Sequence, residues 1–332
     1  MELPPRLKQA VDQMLEHHSL DELSRASARL TSRYRSELRD GQFHINDAIS
    51  AKAYIAARLP ATFAAVRAAL SMVEEAHADF VPKTMLDFGA GPGTALWAAS
   101  DCWPGLERAV MVEASPTIRA VGQSLSEGLA TVACDWRAGD VLKTSADLDP
   151  ADLVTLAYVL DEIEARDIAP VVARLWSLTL DTIVIVEPGT SAGWRRILDA
   201  RRVLIEAGAH VVAPCPHAQD CPIVAPDWCH FARRVARSRL HRLVKQGEVP
   251  WEDEKYIFIA ASRKPARTPA ARVLAPPKTS SGMARLKLCR ADGSAGEVVI
   301  SRRDGDMFRE ARRADWGDSL GGPTTESQGD DA

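Results

Sequence analysis

Met85-Leu86-Asp87-Phe88-Gly89-Ala90-Gly91-Pro92-Gly93-Thr94 is the stretch that decides the fold. A short apolar run enters three closely spaced glycines, and a helix-forming segment leaves them. Glycine is needed where the chain turns at positive φ and where a ligand must approach the main chain closely. The helix behind such a turn offers unpaired N–H groups and positive potential at its first turn. A strand, a glycine turn and a helix in this order predict a nucleoside-cofactor cradle. Dinucleotide sites space their glycines as G-x-G-x-x-G. Here the third glycine comes one residue early, and an acid, Asp87, precedes the first.

The next segments extend the cradle. Val110-Met111-Val112-Glu113 reads as the second strand and ends in an acid 20 residues after Gly93. An acid at that place accepts hydrogen bonds from ribose hydroxyls. A third acid should close the adenine side after the third strand; Asp140, in Ala138-Gly139-Asp140-Val141, is the first choice and Asp135 its rival. The order D-x-G-x-G-x-G resembles motif I of class I methyltransferases, which implies S-adenosylmethionine held by Asp87, Gly89, Gly91, Gly93, Glu113 and Asp140. A lone glycine motif is a loose signal; the flanking acids give it weight.

Residues 1–80 read as an N-terminal helical region. Leu7, Val11 and Met14 recur at helical spacing, Ser19 with Glu22 has the form of a capping box, and Phe63, Val66, Leu70 and Val73 make an apolar stripe. Such stripes are core. Candidate strands follow at Thr84–Phe88, Ala109–Val112, 130–134, 152–159, Thr182–Val186, His210–Ala213 and 256–261, with helical stretches between most of the early ones. Strand–helix alternation predicts a parallel sheet covered on both faces. The expected fold is α/β: a class I methyltransferase Rossmann-like seven-stranded sheet over residues 81–263, with a cysteine-rich insertion at 214–254. The Pro/Ser/Gly-rich stretch 264–282 reads as a linker. Residues 283–317, with a turn at Asp292-Gly293, read as a small C-terminal β module, and 318–332 as a disordered tail.

An apolar fraction of 46% is ordinary for a globular chain of 332 residues, and the formal net charge is −4. The charge is uneven. Phe231 to Lys245 holds six Lys/Arg and no acid, while acids gather in Trp251-Glu252-Asp253-Glu254. Read as a basic helix, Arg233, Arg234, Arg237, Arg239, Arg242 and Lys245 would contact RNA phosphates. The bland reading is a solvated face. No stretch approaches the ~18 apolar residues of a membrane span, and the N-terminus lacks a secretory layout. A cytoplasmic location is expected, with no membrane or DNA partner.

Six cysteines in a chain of this size do not make a disulfide scaffold. Cys102 and Cys134 lie in or beside core segments. Cys215, Cys221 and Cys229 form a run with gaps of six and eight residues, and Cys289 lies far downstream. Thiolates favour iron–sulfur clusters or zinc. The gaps exceed the C-x₂₋₄-C knuckle of structural zinc, and iron–sulfur sites commonly take four cysteines. His217 and His230 are reserve ligands. Spacing alone leaves a metal site and a set of unrelated reduced cysteines both open. A cytosine C5-methyltransferase nucleophile at Cys215 would lie too far from the cofactor, and the C-x₃-C-x₂-C of radical enzymes is absent.

Several stretches together resemble one family: the methyltransferase-like proteins of the mitochondrial small ribosomal subunit and their bacterial relatives, the predicted rRNA methylases. They are the glycine turn, Ala157-Tyr158-Val159-Leu160-Asp161-Glu162, Val186-Glu187-Pro188-Gly189-Thr190, the run from Ala213-Pro214-Cys215 to Trp228-Cys229-His230-Phe231, Lys287-Leu288-Cys289 and Ala314-Asp315-Trp316-Gly317-Asp318. The resemblance implies adenosylmethionine at the turn, a 4Fe-4S cluster on Cys215, Cys221, Cys229 and Cys289, and a role on 16S-type rRNA in small-subunit assembly. It favours iron–sulfur over zinc. After the fourth strand there is no Asn/Asp-Pro-Pro-Tyr clamp for a base amine. Asp161, Glu162 and Glu187 are the remaining candidates for a catalytic role. Two functions follow: an adenosylmethionine-dependent rRNA methyltransferase, or a non-catalytic assembly factor that retains cofactor and cluster.

Overall fold

Four helices precede the first strand: α1 (Pro5–Leu15), α2 (Leu20–Arg35), α3 (Ala48–Ala57) and α4 (Leu59–Ala76). The computed structural model describes residues 1–35, 43–143, 148–245 and 248–321. The stripes read from sequence are buried: Leu7 and Val11 on α1, Leu23, Ala26 and Leu30 on α2, Phe63, Val66, Leu70 and Val73 on α4. The Asp47 side chain starts α3 by accepting the Ser50 N–H at 2.7 Å, satisfying one orphan donor of the first turn. Among the described residues no helix is long and apolar enough to cross a membrane.

Alternation then begins with β1 (Thr84–Phe88), α5 (Thr94–Cys102), β2 (Arg108–Glu113), α6 (Pro116–Ser126) and β3 (Ala133–Ala138). It continues with β4 (Ala151–Ala157), α7 (Ala165–Ser177), β5 (Thr179–Pro188), α8 (Ser191–Glu206), β6 (His210–Ala213), β7 (Phe231–Ala236), α9 (Arg239–Lys245) and β8 (Trp251–Ser262). The strand order is β3-β2-β1-β4-β5-β8-β6. β1 to β5 are parallel and β8 runs antiparallel to β5. Apart from one added strand, this is the expected class I methyltransferase arrangement, with the last-entering long strand reversed between β5 and β6.

The added strand is β7, which makes the sheet eight-stranded. β8 is twelve residues long, and β7 pairs with its first half while β6 pairs with its last three residues. The basic run expected to be one helix is therefore a strand followed by a short helix. Pairing with β8 explains the difference: Phe231 and Val235 anchor the strand in the core while Arg233 and Arg234 between them are exposed. Opposite charges also face across the pair, Arg233 against Glu254 and Arg234 against Asp253. β3 starts three residues later than expected. It is the sheet edge, and Trp136 packs against α6 at Gly122, where a Cβ would lie 2.1 Å from the indole.

The C-terminal module is larger than a hairpin. It comprises β9 (Ala271–Val273), β10 (Lys278–Thr279), β11 (Met283–Arg290), β12 (Ala295–Ser301), α10 (Asp306–Arg313) and β13 (Ser319–Leu320). Two stretches change character here. The segment read as linker contributes β9 and β10, and the start of the segment read as tail contributes β13, which pairs with β9. Residues 322–332 of that tail lie outside the described residues. The module has its own small core, with Val273, Leu286, Leu288, Ile300 and Phe308 buried. Leu274 and Cys289 instead join the main core. Successive side chains of a strand point to opposite faces, so Leu288 looks inward while Cys289 looks toward the methyltransferase-like domain.

Candidate functional site: a glycine-turn cleft and a cysteine cavity

Gly89, Gly91 and Gly93 all take positive φ, at 63°, 54° and 80°. A Cβ on Gly89 would lie 2.3 Å from Val159 Cγ2, whereas a Cβ on Gly91 would meet nothing within 4 Å. Gly89 thus serves packing beneath the turn, and Gly91 leaves open space above it. Both Gly89 and Gly91 line a cleft of about 1530 Å³. Glu113, Asp140, Asp161 and Glu162 line the same cleft. Asp135 does not join them; it sits exposed on β3 with its carboxylate on Arg137 at 2.9 Å.

The acids are held in different ways. Glu113 Oε2 accepts the Gly91 N–H at 2.9 Å and Oε1 the Ser115 N–H at 2.8 Å. Each oxygen keeps a second lone pair for a hydroxyl donor. Asp140 Oδ1 accepts the Leu142 N–H at 2.8 Å. Asp87 is buried below the turn, where Thr155 Oγ1–H donates to Oδ1 at 2.6 Å and Oδ2 has no hydrogen-bond partner. Burial pushes the Asp87 carboxyl up to about 7, with Thr155 opposing and the Glu113 charge adding to the rise. Glu162 opens to the cleft with 43% of its side chain accessible, and His44 Nε2 lies 4.0 Å away. Desolvation between the cleft walls, with the like charges of Asp161, Glu113 and Asp140, raises it to about 8.

Glu187 is fully buried and does not line the cleft. The Leu160 N–H donates to its Oε1 at 3.0 Å, and Arg196 reaches Oε2 at 3.5 Å. Its role is to hold the loop after β4 in place.

One cluster in the cleft was not visible in the sequence. Tyr158, at the end of β4, has φ 58°, a rare conformation for a side chain with a Cβ. Its hydroxyl donates to Glu254 Oε1 at 3.1 Å, and Arg58 Nη2 donates to the same oxygen at 3.1 Å. The three come from segments 58, 158 and 254, so no local spacing could have linked them. The positive φ stands just after β4, the position at which base methyltransferases carry their acceptor clamp.

Acids on β8 already hold three of the six cations expected to bind RNA. Arg234 pairs with Asp253 at 2.9 Å, Arg237 with Glu252 at 2.9 Å and Lys245 with Glu252 at 2.8 Å. Burial alone would raise Glu252, but hydrogen bonds from His241, Lys245 and Arg237 hold it far below the usual carboxylate range. Arg233 and Arg239 are exposed, and Arg242 is half-buried.

The four distant cysteines meet. Cys215, Cys221, Cys229 and Cys289 line one apolar cavity between α8, β8 and the C-terminal module. Burial, then the like charges of Cys215, Cys221 and Cys289, pushes the Cys229 thiol well up; burial also raises Cys215, and Cys289 to about 12. His217 lines the same cavity with Nε2 3.3 Å from Cys289 Sγ and a buried, unbonded Nδ1. His230 lies outside it, stacked on Trp228 and edge-on to Trp316. Cys102 and Cys134 are elsewhere in the main domain. Among the described residues no three His, Cys, Asp or Glu side chains are grouped tightly enough to hold a single metal ion.

The stretch from α3 to β13 that carries both sites matches one family throughout. The family described as "Mitochondrial small ribosomal subunit Rsm22" matches residues 48–321. This chain belongs to the Rsm22 family. The human mitochondrial ribosome assembly protein METTL17 is 29% identical over 287 residues, 80% of this chain and 61% of its own length. The Rsm22-cox11 tandem protein 2 of Schizosaccharomyces pombe, also mitochondrial, is 22% identical over 318 residues, 80% of this chain and 42% of its own. The chain thus spans about half the length of these relatives. Among solved structures, an O-methyltransferase family protein from Burkholderia thailandensis aligns with TM-score 0.43 and 15% identity, covering 74% of this chain and 71% of its own. The magnesium protoporphyrin IX methyltransferase of Synechocystis with bound SAH aligns with TM-score 0.41 and 14% identity, covering 70% of this chain and 94% of its own.

Proposed function

We propose that this Rsm22-family chain binds S-adenosylmethionine at the glycine turn, carries a 4Fe-4S cluster on Cys215, Cys221, Cys229 and Cys289, and serves small-ribosomal-subunit assembly on 16S-type rRNA. One observation carries the cofactor reading. The Gly91 N–H, which a dinucleotide site would turn toward pyrophosphate, is bound to the Glu113 carboxylate at 2.9 Å. The cleft above it is lined by Glu113, Asp140, Asp161 and Glu162. Acids outnumber the cations Arg58, Arg237 and Lys245 along the cleft, a balance that disfavours a pyrophosphate and suits a cofactor with a sulfonium and an ammonium group. When bound, adenosylmethionine supplies an electrophilic methyl group. The chain's own residues would do the holding: Glu113 the ribose hydroxyls, Asp140 the adenine side, Gly91 the open approach.

For the cluster, the donor chemistry fits. Four thiols and no carboxylate line the cavity. Ligands around a single zinc at ~2.3 Å crowd their sulfurs together, while those of a cluster sit on its outer corners and stand wider apart. The assembly role rests on family membership.

Methyl transfer to rRNA is a second reading, favoured by the cleft's size. Its volume exceeds the roughly 300–1000 Å³ of ordinary ligand pockets, which leaves room for a nucleotide beside Tyr158 and Glu162. Glu162, raised to about 8, would take a proton from an acceptor only in its ionised fraction, which grows as pH rises through 8.

Equilibrium dialysis with labelled adenosylmethionine tests the cofactor: one equivalent should bind, and NADH should not compete. Anaerobic purification should yield a brown protein that Cys221→Ser bleaches; a colourless, zinc-loaded protein would refute the cluster. Incubation of precursor small subunits with a tritium-labelled methyl donor separates the two readings. Labelled rRNA establishes transfer, and a bound cofactor without label rules against it.

A further inference from the structure

Two arginines border the cysteine cavity, and both are almost fully buried: Arg201 on α8 at 5% exposure and Arg272 on β9 at 2%. A buried guanidinium ordinarily faces a carboxylate, because an uncompensated charge away from water is costly. Neither arginine does so here. Arg201 Nη2 donates to the His217 carbonyl at 2.9 Å and to the Gln219 carbonyl at 2.6 Å, while its buried Nε has no hydrogen-bond partner. Arg272 donates to the Pro214 carbonyl at 3.1 Å, the Gly317 carbonyl at 2.9 Å and Ser319 Oγ at 2.9 Å. Carbonyls take most of the N–H groups, and neither guanidinium has a carboxylate within ion-pair distance. Glu75 and Asp318 act on Arg272 only at longer range, after burial, which lowers it.

What the two cations do face is sulfur. Arg272 is the direct cross-strand partner of Cys289 in the β9–β11 ladder, which places their Cβ atoms about 5 Å apart on one face. Arg201 holds the carbonyls of His217 and Gln219, in the loop between Cys215 and Cys221. No Asp or Glu lines the cavity. Protonated thiols would leave two positive charges in an apolar pocket. Four thiolates on a metal centre carry net negative charge and would balance them.

We infer that Arg201 and Arg272 are built-in counter-ions of an anionic tetrathiolate centre, and that they set its retention and its reduction potential in addition to shaping the loop. This inference rests on the cysteine cavity holding a metal centre, as proposed above. They are positioning residues: they act on the centre through charge and ligate nothing. One-electron reduction of a cluster adds one negative charge without making or breaking a bond, so a neighbouring cation favours the reduced form.

The test uses the full chain, purified anaerobically as wild type and as Arg201→Gln, Arg201→Lys, Arg272→Gln and Arg272→Lys. Glutamine keeps a donor for the carbonyls and loses the charge; lysine keeps the charge. Iron and sulfide content, the rate of cluster loss to a chelator and the midpoint potential in a dye-mediated titration are measured. In the glutamine variants the potential should move to more negative values and cluster loss should be severalfold faster, while the lysine variants stay near wild type. Equal potentials and equal loss rates in wild type and glutamine variants overturn the inference. So does a defect that lysine and glutamine share, since that marks a purely structural role. If the wild type is colourless and holds zinc, the iron–sulfur reading fails by itself. The same variants then decide the inference by zinc retention, severalfold weaker with glutamine if it holds and equal if it does not. A wild type that retains neither metal overturns both.

Discussion

Asp87 shows what a single residue under a glycine turn can do to stability. It is 1% exposed, and burial first, opposed by Thr155 and aided by Glu113, places its carboxyl at about 7 against 3.8 in the open chain. Between those values the folded protein binds more protons than the unfolded one, so stability falls as pH rises from about 4 to about 7. The cofactor-free protein should therefore resist urea better at pH 5 than at pH 8. Asp87→Asn should make that dependence shallower, leaving the share of Glu162, and gain on the order of a few kcal/mol at pH 8. An unchanged slope in the variant would assign the pH effect elsewhere. The neighbouring glycines separate stability from binding. Gly89→Ala drives a methyl into Val159 at positive φ and should cost about 2–3 kcal/mol in thermal melts. Gly91→Ala meets no atom within 4 Å, so it should cost only about 1 kcal/mol while weakening adenosylmethionine binding in a dialysis assay. A Gly91→Ala protein that binds as tightly as wild type would move the cofactor away from the turn. These residues were legible because the turn is local: three glycines and two acids announce themselves within thirty positions of sequence. Arg58, Tyr158 and Glu254 were not, because each contributes one side chain from a distant segment.

At the scale of elements, the sequence was most readable where period and neighbours agreed. β1, β2, β4, β5 and β6 each appear where an apolar run is bounded by turn residues, and the β3-β2-β1-β4-β5 parallel core follows from their alternation with helices. The misreading fell on Phe231 to Lys245, where the arginines of β7 break the alternation of a strand. Positive charge looked like a solvated helix face, but its partners were the acids on β8, twenty residues downstream and paired only through the fold. Glu252 is the centre of that arrangement. It is 14% exposed at the side chain and receives Arg237, His241 and Lys245 at 2.9, 3.3 and 2.8 Å. Glu252→Gln leaves Arg237 and Lys245 facing a neutral group and should destabilise the protein by about 3 kcal/mol. The loss should be largest above the ordinary carboxylate range and shrink in acid, since the depressed Glu252 contributes its stability only while ionised. Chemical denaturation of wild type and variant at two pH values measures it. Equal stabilities would show that the network is held by packing of β7 on β8 alone.

The whole molecule is two folded units joined across the cysteine cavity, and the joint is where sequence reading had least physical purchase. A gap of sixty residues separates Cys229 from Cys289, and only the face of β11 on which Cys289 stands decides whether they meet. Protein contacts make part of the joint: Arg272 to the Pro214 carbonyl, Trp316 Nε1 to the His230 carbonyl at 3.0 Å, and Lys287 to Asp227. Three of the four sulfurs come from the loop between β6 and β7 and the fourth from the module, so a metal centre would add a covalent clasp to those contacts. Trp228 Nε1 donates to the Gly189 carbonyl at 3.0 Å, and Pro188 and Thr190 on either side of it line the glycine-turn cleft. Such a clasp would abut the cleft wall. Cys289→Ser should raise deuterium uptake in residues 214–230 and 271–321 together, with a smaller rise at 187–190, while β1 to β5 stay protected. Chelator treatment of the wild type should reproduce the same map, because both remove the clasp and leave the polar contacts in place. Uptake confined to the module in the variant would mean that the loop is ordered by Arg201 and the tryptophans, and that the sulfurs are neighbours without being joined.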